Sequence, residues 1–190
     1  PYRQSERRAL YADRARHLLA AGRAYPCFCA AGDPEAKSDC RCADLPAGKM
    51  RATSGERHAI RFRVRPGVVE FDDRLRGPMR IDSGTFGDFV LVRSNGLPTY
   101  NFACVVDDAA MQITHVVRGE DHLYNTARQR LLYEALDLPL PEFVHLALIL
   151  DEDRGKLSKR AGRTGTYVDE YRTRGYLPAA PMNFLALLGW

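Results

Sequence analysis

The sequence predicts an α/β fold in the second half of the chain, preceded by a strand-rich α+β region. Two observations carry this. Beyond residue 98 strand and helix patterns alternate, ending in the run "EFVHLALIL" (residues 142–150), apolar enough to be a strand buried on both faces. Residues 50–98 instead hold short alternating strands with turn residues between them.

The elements follow in order. Ser5 can cap a helix over about residues 6–21, in which Leu10, Ala15, Leu18 and Leu19 recur near helical spacing and Gly22 suits a left-handed stop. A Cys-rich loop, residues 25–50, comes next. In "HAIRFRV" Ile60, Phe62 and Val64 alternate with arginines as in a half-buried strand, and the turn "RPG" with "VVEF" completes a hairpin. "DFVLVRS" and "PTYNFACVV" flank Asn95-Gly96 and predict a second hairpin. "MQITHVV" and "EFVHLALIL" read as strands, with "NTARQRLLYEAL" between them as a helix capped by Asn125 or Thr126. Thr166 can start a short helix that Gly175 ends, and Pro178 fits the first turn of another.

At 190 residues the chain can form one domain with a core or two small ones sharing an interface. A composition 45% hydrophobic and 27% charged fits a soluble protein. No apolar run reaches the roughly 20 residues that span a bilayer, and "PYRQSERRAL" lacks the features of a signal peptide. The expectation is a cytoplasmic protein with no membrane partner. A net charge of +4 is compatible with a polyanionic partner. Starting at Pro1 without methionine and stopping at Trp190 after "NFLALLG", the chain reads as a fragment.

Of 28 basic residues only Lys37, Lys49, Lys156 and Lys159 are lysine, so the arginine bias is overridden twice within "KLSKR" (156–160). This stretch follows the buried-strand pattern, at the kind of strand end where open α/β sheets bind ligands. Lysine is a compact charge on a flexible stem, suited to following a phosphate during reaction; the alternative is a solvated basic loop. "VVRGEDH" (116–122) leaves another strand end and gathers Arg118, Glu120, Asp121 and His122. Arginine there can grip a carboxylate bidentately; the alternative is a surface ion-pair cluster. Tyr100 could reach the same cleft or belong to the core. His17, His58, His115 and His145 read as structural, Asp107 and Asp108 as turn or cap residues after a strand with catalytic carboxylates the alternative, and Cys104 as a small side chain buried in a strand. Cys27, Cys29, Cys40 and Cys42 form two C-x-C pairs that suit tetrahedral zinc, with disulfides the weaker alternative.

Taken together, "PYRQSER", "AYPCFC", "IRFRV", "FDDRLRG", "GDFVLVRSNGLPTYNFACVVDD", "ITHVVRGEDHLYNTARQ", "KLSKR" and "GYLPAAPMNFLALLGW" resemble glutamyl-tRNA synthetases, a family of class I aminoacyl-tRNA synthetases. The resemblance implies a chemistry: ATP-dependent activation of L-glutamate and its transfer to the 3′ end of tRNA(Glu), with Mg2+ accompanying ATP. "KLSKR" is similar to the family's KMSKS loop, so Lys159 and Ser158 would meet ATP phosphates and Lys156 would assist. Arg118 and Tyr100 match positions that hold the bound glutamate, and His122 falls at the pocket wall. Zinc-bearing members place C-x-C and then C-x-H after the same helix; here the gap is shorter and Cys42 stands where the histidine would be.

The implied architecture is the second half of a Rossmann-type nucleotide-binding fold over residues 99–160, preceded by a connective, acceptor-binding insertion over 1–98 and followed by the start of a stem-contact region over 161–190. The family's HIGH motif and anticodon-binding domain match nothing here, so this chain alone is expected to be inactive, and the parent protein monomeric. The rivals are the truncated relative that charges a modified base of tRNA(Asp) and a non-catalytic, zinc-stabilised RNA-binding module.

Overall fold

A computed structural model describes residues 2–29, 41–44, 57–150, 155–157 and 167–188. Helix α1 (Arg8–Ala20) leads into strand β1 (Ala24–Cys27), followed by β2 (Ala59–Phe62), β3 (Val68–Asp73), β4 (Gly77–Asp82) and β5 (Phe89–Val92). Helix α2 (Tyr100–Ala110), strand β6 (His115–Gly119), helix α3 (Leu123–Ala135) and strand β7 (Glu142–Leu146) come next, then the short helices α4 (Val168–Thr173) and α5 (Ala179–Leu188). One sheet has the order β1-β2-β5 and is antiparallel. The other has the order β4-β3-β7-β6, with β3 antiparallel to β4 and β7 parallel to both β3 and β6. The mixed α/β class is as the sequence predicts.

Helix α1 buries Tyr11, Ala15 and Leu18 along one stripe, and Gly22 takes φ 66° at its end, the left-handed stop expected there. Ser5 does not cap it. A 3-10 turn over Gln4–Glu6 precedes the helix, which starts from Arg7 with no side-chain cap. Nor do Asn125 and Thr126 cap α3: that helix begins at Leu123, so both lie inside its first turn.

The stretch read as a strand after Asn95-Gly96 is helix α2. Its buried residues Phe102, Ala103, Val105 and Val106 form a helical stripe, and a short apolar run rich in valine cannot be told from a strand by periodicity alone. The Asn95-Gly96 turn survives as a single Val92–Pro98 bridge with Gly96 at φ 80°. The hairpin drawn from "HAIRFRV" to "VVEF" is also absent, because β2 and β3 belong to different sheets. The Ser83 hydroxyl donates to the Arg65 carbonyl and accepts from the Gly67 amide, both at 3.0 Å, which pins the "RPG" turn to β4 instead. Strands β1 and β4 stood outside the predicted elements. Each contains a proline, Pro26 and Pro78, tolerated because both strands are sheet edges.

Strand β7 is shorter than the apolar run suggests and alternates, burying Phe143 and His145. Phe62, Leu91, Phe102, Leu132 and Phe143 join in a single core between the sheets and α1, α2 and α3. Among the described residues, no helix is long and apolar enough to cross a membrane.

Candidate functional site

Strands β6 and β7 run parallel with Arg118 beside His145 and Gly119 beside Leu146, so the segments that follow them leave the same end of the sheet. That end is where open α/β sheets bind ligands. After β6 the chain makes a 3-10 turn over Glu120–His122. After β7 it doubles back: Leu150 bridges Lys156, and the Leu157 amide donates to the Ile149 carbonyl at 2.9 Å. Lys156 thereby reaches Asp121, to which its ammonium donates a hydrogen bond. This contact, first among its causes, lowers the Asp121 pKa. Gly119 lets the two segments approach closely. A Cβ there would lie 2.6 Å from the Asp121 carboxylate and 3.2 Å from the Leu148 side chain.

Arg118 is held from behind. Its Nη2 donates to Thr126 Oγ1 and Gln129 Oε1, both at 2.7 Å, and its Nε donates to His145 Nε2 at 3.3 Å. Gln129 in turn donates to Asn101 (3.0 Å) and Asn101 to Asn125 (3.3 Å), whose amide meets His122 Nδ1 at 2.9 Å. The chain of side chains thus runs from β6 across α3 and α2 and back to the His122 turn. The Tyr100 and His122 rings lie 5.8 Å apart. Because α2 is a helix, Tyr100, Cys104 and Asp108 share one face. Burial pushes the Tyr100 phenol, the Cys104 thiol and the Asp108 carboxyl up, and in all three the Arg118 charge pulls the other way.

Beneath Arg118 lies a buried carboxylate–imidazole pair. Asp73, at the end of β3, accepts from the His145 amide (3.0 Å) and His145 Nδ1 (2.6 Å) through one oxygen, and from the Leu75 and Arg76 amides, both at 3.0 Å, through the other. Burial opposes the Asp73 charge, but the bonds from His145 and the two amides outweigh it and hold the carboxyl below the usual range. Burial, more than the Asp73 contact can offset, pushes the His145 imidazole down. Arg76 donates through Nε to the His145 carbonyl at 3.1 Å and through Nη2 to Glu120.

The predicted residues Tyr100, Arg118, His122 and Lys156 therefore converge on one sheet end. Ser158 and Lys159 lie outside the described residues, as does Cys40. Gln129, Asn101 and Asp73 were not singled out in the sequence and Thr126 only as a helix cap, and His145, read as structural, does fill the interior but also touches Arg118. Asp107 is neither a turn nor a cap residue. It sits inside α2, accepts from Arg7 Nε and the Tyr11 hydroxyl, both at 2.7 Å, and joins α2 to α1. Burial, then Asp107, push the Tyr11 phenol up to about 12. Cys104 is a helix residue at the site's edge, not a strand residue.

At the far end of β1, the Cys27, Cys29 and Cys42 sulfurs lie within 4.8 Å of one another, Cys42 being carried on a 3-10 turn over Arg41–Asp44. Cys29 and Cys42 are 3.6 Å apart. Thiolates on a tetrahedral zinc, with bonds of about 2.3 Å, stand roughly 3.8 Å apart. The Cys29–Cys42 separation fits that geometry, and the Cys27 sulfur lies close enough to share one ion with them. Tyr25 packs against Cys27 and Cys42, and Arg63 both stacks on Tyr25 at 5.1 Å and donates to the Ala43 carbonyl at 2.9 Å, fixing the turn against β1.

The family of class I tRNA synthetase catalytic domains (E and Q) matches residues 1–190. Glutamate–tRNA ligase of Desulfitobacterium hafniense (strain Y51) is 47% identical over 205 residues, covering 100% of this chain and 42% of that protein. The same ligase of Aquifex aeolicus (strain VF5) is 48% identical over 204 residues, covering 100% and 43%. Among solved structures, a glutamate tRNA ligase from Elizabethkingia meningosepticum in complex with its amino acid superposes with a TM-score of 0.81 at 35% identity, covering 100% of this chain and 45% of that one. The chain spans less than half the length of the relatives it matches.

Proposed function

This chain belongs to the class I tRNA synthetase catalytic-domain family (E and Q), and from that premise we propose that it is part of a glutamate–tRNA ligase. In the first step an oxygen of the glutamate α-carboxylate attacks the α-phosphorus of ATP, the bond to the β-phosphate oxygen breaks, and pyrophosphate leaves with glutamyl-adenylate formed. In the second, a terminal ribose hydroxyl of tRNA(Glu) attacks the adenylate carbonyl and AMP leaves. Mg2+ would accompany the ATP phosphates.

Support comes above all from Arg118. With the hydrogens of Nε and Nη2 given to His145, Thr126 and Gln129, Nη1 is left for the Tyr100 hydroxyl and for a ligand beside it. A site that must prefer a carboxylate to the near-isosteric amide of glutamine needs a cation, since shape alone discriminates poorly. Tyr100 and His122 flank the same space. Lys156, already drawn to the turn that follows Arg118, and Lys159 with Ser158 would carry the phosphates. In the full-length protein, Arg118→Gln is expected to raise the KM for glutamate at least about tenfold in tRNA-dependent ATP–pyrophosphate exchange, with little change for ATP. An unaltered KM removes Arg118 from the pocket.

Residues 1–98 serve on this reading as the acceptor-end insertion, 99–160 as half of the nucleotide-binding fold and 161–190 as the start of the stem contact, in a cytoplasmic monomer. Zinc is structural in this scheme, held by Cys27, Cys29, Cys40 and Cys42 so as to order the insertion. Protein purified without chelator should contain about one zinc per chain, since structural zinc supplies roughly 10 kcal/mol or more of local folding free energy. Less than about a tenth of an equivalent by elemental analysis excludes a zinc of that affinity.

A further inference from the structure

We propose that His145, anchored by Asp73, is a positioning residue that sets the Arg118 guanidinium for the substrate carboxylate. The inference rests on the reading of Arg118 as the glutamate-binding cation. Its first support is that His145 and Asp73 are polar where polarity is expensive. Both side chains are fully buried, with the Phe71 and Phe143 rings packed on the imidazole. An apolar side chain would fill that space at lower cost, so a buried imidazole–carboxylate pair is weak evidence for stability as such. What the pair adds is direction. Nδ1–H donates to Asp73, which leaves the lone pair on Nε2. That lone pair faces Arg118 Nε at 3.3 Å and the Thr126 hydroxyl at 2.9 Å; Thr126 itself accepts from Arg118 and has the His122 carbonyl, at 3.1 Å, as a second acceptor for its hydrogen.

A guanidinium has five N–H groups. The Nε hydrogen goes to His145 and the two on Nη2 to Thr126 and Gln129, so the edge that would otherwise offer a carboxylate two parallel bonds is spent inside the protein. The two hydrogens of Nη1 remain for the Tyr100 hydroxyl and a ligand, and their direction is set by what grips the other edge. His145 lies directly across the parallel ladder from Arg118, so its acceptor is fixed by strand register and not by a flexible loop. The charged groups around the imidazole are Asp73 from β3, Arg76 from the β3–β4 turn and Arg118 from β6; α3 contributes the neutral Thr126. A cationic His145 would turn an N–H toward Thr126 and Arg118 and add a third positive charge, which its buried neutral form avoids.

The test is a mutant cycle in the full-length protein, read as glutamate KM and ATP KM in tRNA-dependent ATP–pyrophosphate exchange. His145→Phe should raise the glutamate KM about tenfold while the ATP KM stays within about twofold, because a misaimed cation weakens carboxylate capture and leaves the phosphate side alone. His145→Gln, whose amide oxygen can stand near the Nε2 position, should recover most of that loss. In an Arg118→Gln background His145→Phe should add nothing, since the group it aims is gone. A rise that is equally large with and without Arg118, or one shared by glutamate and ATP, overturns the proposal and leaves the reading of Arg118 intact. If Arg118→Gln by itself leaves the glutamate KM unaltered, that reading fails and this one falls with it. Should His145→Phe not fold, Thr126→Val takes its place under the same criteria, because it removes the hydroxyl between His145 and Arg118 without disturbing the aromatic packing.

Discussion

Replacing Lys159 with alanine in the full-length protein is expected to slow glutamate-dependent ATP–pyrophosphate exchange at least about a hundredfold while leaving the glutamate KM nearly unchanged. The reason lies in where the loop starts. The run after β7 bends back so that Leu150 bridges Lys156, and Lys156 bonds Asp121 in the turn that follows Arg118. Lys159 stands three residues further along the same stretch of sequence. As pyrophosphate separates from the α-phosphorus, negative charge grows on the leaving oxygens, and an ammonium on a flexible stem can follow them. Loss of a group that meets charge only in the transition state lowers kcat and not ground-state binding. An exchange rate equal to wild type would return "KLSKR" to a solvated basic loop.

Asp73→Ala is expected to destabilise the fold by about 3–5 kcal/mol, measured by urea denaturation, because four donors lose their acceptor together in a buried position. Those donors are the amides of Leu75, Arg76 and His145 and the His145 ring. Asp73 has a lowered folded pKa, so its stabilisation is present above the unfolded carboxylate value and lost as pH falls through the folded one. His145 is a base whose folded pKa is also lowered, so its neutral form stabilises above the unfolded value of about 6.5 and that contribution is lost on acidification below it. Both act in the same direction. Wild-type stability should fall steadily below about pH 6.5, and Asp73→Ala should lose the part of that slope that lies in the carboxylate range below about pH 4. Equal stabilities for mutant and wild type at neutral pH would mean that the Asp73 bonds contribute nothing to the fold.

The chain's motifs were legible because they combine unusual residue types in a short span. The isolated lysines, the Arg-Glu-Asp-His cluster at the end of β6 and the paired cysteines each point to chemistry without a structure, and Tyr100, Arg118, His122 and Lys156 do lie at one end of the sheet. The helix stop at Gly22 and the α/β alternation were also readable from local backbone preference. What escaped depends on pairing at long range. Strand β3 takes β4 and β7 as neighbours instead of β2, a choice made by burial of Val69, Phe71 and Asp73 and not by the adjacent turn. The helix over Tyr100–Ala110 was hidden by two valines that favour strands. With it were hidden the alignment of Tyr100, Cys104 and Asp108 and the contact from Asn101 to Gln129. Asp73 lies 72 residues from the histidine it holds, and no periodicity reports that separation.

The most direct test of the account is aminoacylation of tRNA(Glu) by the full-length protein with ATP and either glutamate or glutamine. The account predicts that kcat/KM for glutamate exceeds that for glutamine by at least about a thousandfold, because glutamine leaves the Arg118 cation without a counter-charge. Comparable charging of glutamine, or no charging of glutamate, would contradict it.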